Sequence, residues 1–129
     1  MTQFTCDLSE EPIPFTHFWE HTVGSDHAPM ALRADWQQQL RRAHEELGFQ
    51  HVRFHSILSD QMGTLICQSE KFIFSFFNTD QIFDFLLSTG MKPFIELSFM
   101  PETLASGSKT VFRYQGNVTP PKVYRDWEM

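Results

Sequence analysis

The sequence predicts an α/β protein with a parallel sheet, on three observations. Apolar residues recur at helical spacing in one segment and alternate in the segment that follows it. The unit of helix, glycine and strand occurs twice, around Gly48 and Gly90, which is typical of a βα repeat with right-handed crossovers. No glycine-rich phosphate fingerprint follows the first predicted strand, so a dinucleotide-binding fold is not favoured. The other common fold built from such repeats is the (β/α)8 TIM barrel, which needs about 250 residues. We therefore expect a partial barrel with only its first ~3 βα units.

The first βα unit is predicted between His17 and Gly48. An aromatic and β-branched run, His17–Gly24, is typical of a strand, and Asp26–Pro29 is typical of a loop. Gly48 is expected to follow the end of a helix, because the residue at that position often adopts a left-handed conformation that favours glycine. The helix before it presents one apolar face, made of Leu32, Trp36, Leu40, Ala43 and Leu47.

The second predicted strand, Phe49–His55, alternates in character along its length. One side carries Gln50, Val52 and Phe54. The other side carries His51, Arg53 and His55. Polar residues on one face near the carboxyl end of a strand are unusual for plain core, so this face is a candidate site.

The rest of the second unit contains an insertion and another helix. Two apolar runs, Thr64–Cys67 and Phe72–Phe77, predict a hairpin-like insertion. Asn78 with Gln81 three residues later is a capping-box pattern that predicts a helix start, and Gly90 predicts its end.

The third predicted strand, Pro93–Phe99, places Glu96 on the side expected to face the barrel interior. The tail from Pro101 is rich in glycine and proline and predicts a long loop, with a further helix starting in Tyr124–Trp127. At the other end, residues 1–16 predict an irregular lead-in, which leaves 17–129 as the barrel portion.

Composition excludes several classes of function. The net charge is −6 and no basic stripe occurs, which argues against nucleic-acid binding. No apolar run reaches membrane-span length, and Met1–Glu11 lacks the features of a signal peptide, so a cytoplasmic protein is expected. The cysteines, Cys6 and Cys67, are expected to be free thiols. The 14 phenylalanines indicate a larger core than this chain holds, or contact with something absent from it.

Catalytic groups of a (β/α)8 barrel lie at the carboxyl ends of its strands. His55 ends the second predicted strand, where it could bind a sugar hydroxyl or form a structural pair with Arg53. Glu96 is expected to pair with Arg53, because a buried arginine needs a partner. Asp60 lies in the loop after the second strand, and this position makes it a candidate supporting residue of the active site. No cofactor or metal site is predicted: the histidine pairs four apart lie in predicted strands and lack a third ligand.

Several ordered stretches resemble glycoside hydrolase family 39, and they cover nearly the whole chain from about His17. The last two stretches are the most specific, because "LASG" followed by "GNVTPPK" is hard to obtain by chance. The stretches are Val23–Ser25, Leu47–His55 with Ile57–Gly63, Gly90–Leu97, Phe99–Gly107 and Gly116–Lys122.

The resemblance implies a retaining β-xylosidase whose catalytic domain is a (β/α)8 barrel, with α-L-iduronidases as relatives. It implies that His55 contacts the sugar in the reactive subsite, with Arg53 and Glu96 supporting it. Two positions beside that subsite depart from the family: Ser56 replaces a usual glycine, and Gln61 replaces a common aspartate. The family's acid/base glutamate lies in an Asn-Glu-Pro motif after the fourth strand, and its nucleophile follows much later. No Asn-Glu-Pro occurs in the 129 residues.

Two functional hypotheses follow. The first is the N-terminal portion of a β-xylosidase, which binds a xylose-containing sugar and is expected to be inactive alone because both catalytic glutamates are missing. The second is a non-catalytic carbohydrate-binding remnant, or one half of a split enzyme, whose exposed strand edges need the rest of the barrel or a second copy. The sequence leaves open whether the sugar is a xyloside or an α-L-iduronide.

Overall fold

A computed structural model describes residues 2–69, 71–111, 113 and 115–122 of the chain. The predicted helix start at Tyr124–Trp127 lies outside these residues. Residues 2–17 contain no helix or strand, and their apolar side chains are exposed. Among the described helices, none is long and apolar enough to cross a membrane.

The central element is a parallel sheet of three strands. Strand β1 is Thr22–His27, β2 is His51–His55, and the third strand of the sheet, β5, is Lys92–Ile95. Their spatial order follows their order in the chain, and both pairings are parallel. Within the described strands, the order therefore does not reverse at any point, and such a reversal is where doubly wound folds bind their ligands.

Two helices connect these strands and pack against them. Helix α1, Ala34–Leu47, joins β1 to β2, and α2, Phe77–Ser88, precedes β5. The strand face that meets the helices is apolar, because Val52 and Phe54 are buried while the alternating residues of β2 are not. The core formed there consists of Ala28, Ala31, Leu40, Val52, Phe54, Ile57, Met62, Ile82, Leu86 and Met91.

The end of α1 follows the prediction. Gly48 is the C-cap residue at φ 75°, and its N–H donates a hydrogen bond to the carbonyl of His44. Only glycine adopts this left-handed conformation without a steric penalty. The predicted hairpin is also present, as β3, Leu65–Gln68, paired with antiparallel β4, Lys71–Phe74.

The first predicted strand, His17–Gly24, is wrong in its position. Phe18–Glu20 forms a 3-10 turn, and the strand extends instead to His27, through part of the predicted loop Asp26–Pro29. The turn is closed locally: Glu20 N–H donates to the His17 carbonyl, and the Glu20 carboxylate lies 2.7 Å from His17 Nδ1. These contacts hold the aromatic run out of the sheet.

The capping box predicted at the start of α2 is absent. The helix begins one residue earlier, at Phe77, and no side chain caps it. The amide of Asn78 instead donates to the carbonyl of Met62, which ties the helix start to the loop after β2.

The ends of the third strand and the tail also differ from the prediction. Strand β5 stops at Ile95, opposite Phe54 of β2, rather than at Phe99. The chain then turns, with Ser98 N–H donating to the Glu96 carbonyl. The tail predicted as a loop contains a short antiparallel hairpin, β6 at Thr110–Val111 and β7 at Gly116–Asn117.

Candidate functional site at the strand ends

The carboxyl ends of β2 and β5 bring three charged or polar side chains together. Glu96 follows β5 directly, and its carboxylate contacts both neighbours on β2: Oε2 meets His55 Nδ1, and Oε1 meets Arg53 Nη2. The register of the two parallel strands produces this arrangement. Arg53 lies opposite Phe94. Because side chains alternate between the two faces of a strand, Glu96, two residues after Phe94, points to the same side as Phe94. The Arg53–Glu96 pair expected from the sequence is present, and His55 joins it through the same carboxylate.

These three side chains are differently exposed. Arg53 is half exposed, whereas the His55 and Glu96 side chains retain 27% and 20% of their accessible surface. A charge-assisted hydrogen bond to a carboxylate fixes the orientation of an imidazole ring. The Glu96 carboxylate therefore contacts two partners, and its contact with Nδ1 restricts the orientation of the His55 ring.

Asp60 has a different role from the other three. It lies in a 3-10 turn, Asp60–Met62, and its Oδ2 accepts a hydrogen bond of 3.0 Å from the backbone N–H of Glu102. Leu58 N–H donates to the Ser98 carbonyl over 2.8 Å. These contacts join the loop after β2 to the segment after β5, so Asp60 shapes the edge of the site and does not contact Glu96.

A polar cavity of about 220 Å³ opens where these two segments meet the β6–β7 hairpin. We call it the strand-end cavity. No lysine or arginine is among the described residues that line it, whereas two carboxylates and several neutral hydrogen-bonding groups are. The polar members are Ser56, Ser59, Asp60, Gln61, Glu102, Thr110, Gln115 and Asn117.

The two most specific sequence motifs form one hydrogen-bonded unit beside this cavity. The buried amide of Asn117 donates to the Gly107 carbonyl over 2.8 Å, and its oxygen accepts from Thr119 N–H over 2.9 Å. Gly107 N–H in turn donates to the Thr119 hydroxyl over 3.2 Å. "LASG" supplies Gly107 and "GNVTPPK" supplies the other two residues, so the motifs hold the cavity wall in place.

Gly116 of the second motif allows an aromatic ring to approach the site. A Cβ atom at Gly116 would lie 2.2 Å from Cδ2 of Phe99. The Phe99 ring lies 6.3 Å from the His55 ring, measured between centroids. The close approach that only glycine permits thus places an apolar wall next to His55.

His27 was missed by the sequence reasoning. It ends β1 opposite His55 in the register, its side chain is mostly buried, and its Nδ1 lies 2.7 Å from the Asp26 carboxylate. The sequence placed both residues in a loop because the strand was predicted several positions too early. A strand ending at His27 would have marked it as a strand-end residue.

The remaining polar residue on the exposed face of β2 lies at the opposite end of the sheet. His51 stacks on His21 with ring centroids 5.0 Å apart, and its Nδ1 bonds to the His21 carbonyl. Across the described part of the chain, no group of three potential metal ligands is brought together.

Comparison with known proteins gives the family. The model of glycosyl hydrolases family 39 matches residues 4–129. A β-xylosidase from Caldicellulosiruptor saccharolyticus is 59% identical over 111 residues, which are 85% of this chain and 23% of that protein. A β-xylosidase from Geobacillus stearothermophilus is 39% identical over 117 residues, covering 88% of this chain and 23% of the relative.

Solved structures agree with these sequence relatives. A monomeric β-xylosidase from Caulobacter crescentus superimposes with a TM-score of 0.78 at 39% identity, over 89% of this chain and 23% of that chain. The family 39 enzyme from Xanthomonas axonopodis pv. citri gives a TM-score of 0.76 at 34% identity, over 85% and 22%. The chain belongs to glycosyl hydrolases family 39. It corresponds to the N-terminal part of its relatives and spans about a quarter of their length.

Proposed function

We propose that this chain forms the first βα units of a β-xylosidase barrel and supplies one wall of its sugar-binding site. The observation that carries the proposal is the strand-end arrangement of His55, Glu96 and Arg53 in a family whose named relatives are β-xylosidases. In this role His55 hydrogen-bonds a sugar hydroxyl. Glu96 orients the imidazole, and Arg53 keeps the Glu96 carboxylate paired.

The charge around the strand-end cavity favours a neutral sugar over an iduronide. Asp60 and Glu102 both line the cavity, and no lysine or arginine does so among its described lining residues. Arg53, the cation at the end of β2, is paired with Glu96. On this wall of the site, a substrate carboxylate would meet the carboxylates of Asp60 and Glu102 without a cation from the described lining residues, which disfavours its binding there. A xyloside has no carboxylate and offers hydroxyl groups to the same residues.

The bond-breaking groups lie outside these residues. Hydrolysis with retention needs two carboxyl groups about 5–5.5 Å apart, one as nucleophile and one as acid/base. Glu96 is held by His55 and Arg53, and Asp60 is held by a backbone amide. The 129 residues contain no Asn-Glu-Pro. We therefore propose that the chain binds and positions the sugar and is inactive by itself.

The exposed apolar surface favours assembly with the rest of a barrel. In the described sheet, β1 and β5 each have one neighbour, so each leaves one edge unpaired. Phe94 and Ile95 of β5 are about half exposed, and Leu97 is 80% exposed. Exposed edges with apolar side chains promote association. The covering partner we propose is the remaining barrel, on the same chain or as a separate half. Self-association is the alternative.

The proposal is tested with a chimera in which this chain replaces the matching N-terminal part of the C. saccharolyticus β-xylosidase. We call it the barrel chimera. The assay is hydrolysis of an aryl β-xyloside and of an aryl α-L-iduronide, alongside the 129-residue chain alone. We expect the chimera to hydrolyse the xyloside in preference to the iduronide, and the chain alone to give no turnover.

Two results would overturn parts of the proposal separately. Turnover by the purified 129-residue chain would contradict the proposal that the bond-breaking groups lie outside it. A soluble, folded chimera that binds no xyloside would contradict the sugar-binding role of this segment. Assembly is tested by co-expressing the chain with the remaining three quarters of the relative. Recovered activity would support a partner that covers the exposed sheet. A 129-residue chain that is monomeric and unfolds cooperatively by itself would contradict the need for such a partner.

A further inference from the structure

Three basic side chains lie together at the amino end of the parallel sheet, on the face opposite the helices. The helix side of β2 carries the buried Val52 and Phe54, so His51 lies on the other, open side. Lys92 of β5 is the partner of His51 in the parallel register, and paired residues of neighbouring strands point to the same side. The His21 ring stacks on the His51 ring, with centroids 5.0 Å apart. We call His21, His51 and Lys92 the amino-end patch.

The amino-end patch has no carboxylate partner in the part of the chain that the structure describes. Lys92 is exposed, and its ammonium group contacts no acceptor among residues 2–69, 71–111, 113 and 115–122. His51 Nδ1 bonds to the His21 carbonyl, and His21 Nδ1 lies 2.6 Å from the Thr22 hydroxyl. Both imidazoles are thus held by neutral groups, and no described group holds the ammonium.

The carboxylates that adjoin the patch in sequence are engaged elsewhere. Glu20 precedes the patch directly, and its Oε1 lies 2.7 Å from His17 Nδ1. Glu96 lies beyond the other end of β5, where it contacts Arg53 and His55. The described residues therefore bring a cation to this end of the open face without bringing an anion for it.

We propose that the amino-end patch is an interaction surface for a strand of the remaining barrel that pairs with the unpaired edge of β5 and places a carboxylate against Lys92. The inference rests on the proposed function, in which this sheet continues into a closed barrel, and it adds the chemistry of the strand beside β5. Inward side chains of a closed barrel pack in layers. An ammonium group enclosed among them without an anion is unfavourable, and a carboxylate in contact with it offsets that cost.

A second copy of the chain fits this surface less well than the remaining barrel does. Two copies that met through the same face would bring two amino-end patches together, and like charges placed against each other disfavour association. β5 has one neighbour in the described sheet, so a strand added at its other edge lies next to Lys92. Charge and topology therefore both favour a carboxylate on that strand.

The test uses the barrel chimera with three substitutions of Lys92. Lys92→Arg keeps the cation, Lys92→Met keeps an unbranched side chain without the charge, and Lys92→Glu reverses the charge. Lys71→Met is the matched control, because Lys71 is exposed in the β3–β4 hairpin and pairs there with Gln68. The readout is hydrogen–deuterium exchange of peptides that cover β5, corrected for the intrinsic exchange rate of each sequence.

Exchange in Lys92→Arg should match the parent chimera, because the cation is retained. Lys92→Met should exchange about 10- to 150-fold faster in β5, as expected when a hydrogen bond between charged groups is lost, and Lys92→Glu faster still. Lys71→Met should leave β5 unchanged. A lysine that contributes only through its apolar stem would give another order, with methionine equal to lysine. The comparison of Lys92→Arg with Lys92→Met decides the matter even where Lys92→Glu does not fold.

A crystal structure of the parent chimera tests the contact without any substitution. The inference predicts a carboxylate oxygen of the strand beside β5 within about 4 Å of Lys92 Nζ. An ammonium group that extends into solvent or binds an inorganic anion would overturn it, as would unchanged exchange in Lys92→Met. Either result would leave the proposed function intact, because the parent chimera would still hydrolyse the aryl β-xyloside.

Discussion

The contact between Gly116 and Phe99 gives the sharpest prediction. In Gly116→Ala the new Cβ atom would lie 2.2 Å from the Phe99 ring, and real Cβ atoms essentially never approach closer than 3.0 Å. The ring or the hairpin must therefore move by at least about 0.8 Å. Overpacking of this kind costs about 1–3 kcal/mol. Because the contact joins the hairpin to the segment after β5, we expect the cost to appear as easier local opening of the hairpin.

The assay is hydrogen–deuterium exchange of the barrel chimera, followed in peptides that contain the amides of Met100 and Val118. Met100 N–H donates to the Asn117 carbonyl, and Val118 N–H donates to the Lys109 carbonyl. A local cost of about 1–3 kcal/mol predicts exchange about 5- to 150-fold faster.

A double-mutant cycle separates the clash from other effects of the substitution. In a Phe99→Ala background the ring is gone, so Gly116→Ala should then cost little and the two changes should be strongly non-additive. The reasoning would be refuted by exchange in Gly116→Ala that matches the parent, or by an undiminished effect in the Phe99→Ala background.

Three further predictions use the barrel chimera. Phe54→Ala should cost about 3–5 kcal/mol in denaturant unfolding because the ring is 1% exposed, whereas Phe72→Ala, 54% exposed, should stay within about 0.5 kcal/mol. An equal cost would contradict the assigned core. Glu96→Gln should lower kcat/KM on aryl β-xyloside at least about tenfold, because His55 loses its orienting carboxylate, while Asp84→Asn on exposed α2 should not. Asn117→Ala should speed exchange of the Gly107 amide by removing buried hydrogen bonds. Unchanged exchange would contradict the claim that the two motifs form one hydrogen-bonded unit.

Periodicity predicted the parts of the fold that depend on local chemistry. The alternation in β2 correctly separated the buried Val52 and Phe54 from the polar side, because a strand with one buried face has a fixed period of two. Gly48 ended α1 as predicted, since a left-handed residue is needed there. The Arg53–Glu96 pair was predicted correctly, but the reason given was not: Arg53 is half exposed, and the pair forms because alternation in two neighbouring parallel strands brings the side chains to the same side.

The features that the sequence did not predict depend on contacts between distant segments. Strand β1 starts at Thr22 because the turn Phe18–Glu20 closes on its own side chains, and periodicity carries no information about that closure. Asn78 pairs with Met62 rather than capping its own helix. The left-handed backbone of Ser56 is not indicated by the residue type, because non-glycine residues seldom adopt that conformation.

The bound state of the site provides the most direct test of the proposed sugar contact. The measurement is a crystal structure of the barrel chimera with xylose, in which the sugar lies at the carboxyl ends of β2 and β5. The account predicts a sugar hydroxyl within about 3.2 Å of the His55 imidazole, with Glu96 still bonded to its Nδ1. Xylose bound away from His55, or an imidazole that has left Glu96 to bond backbone instead, would contradict it.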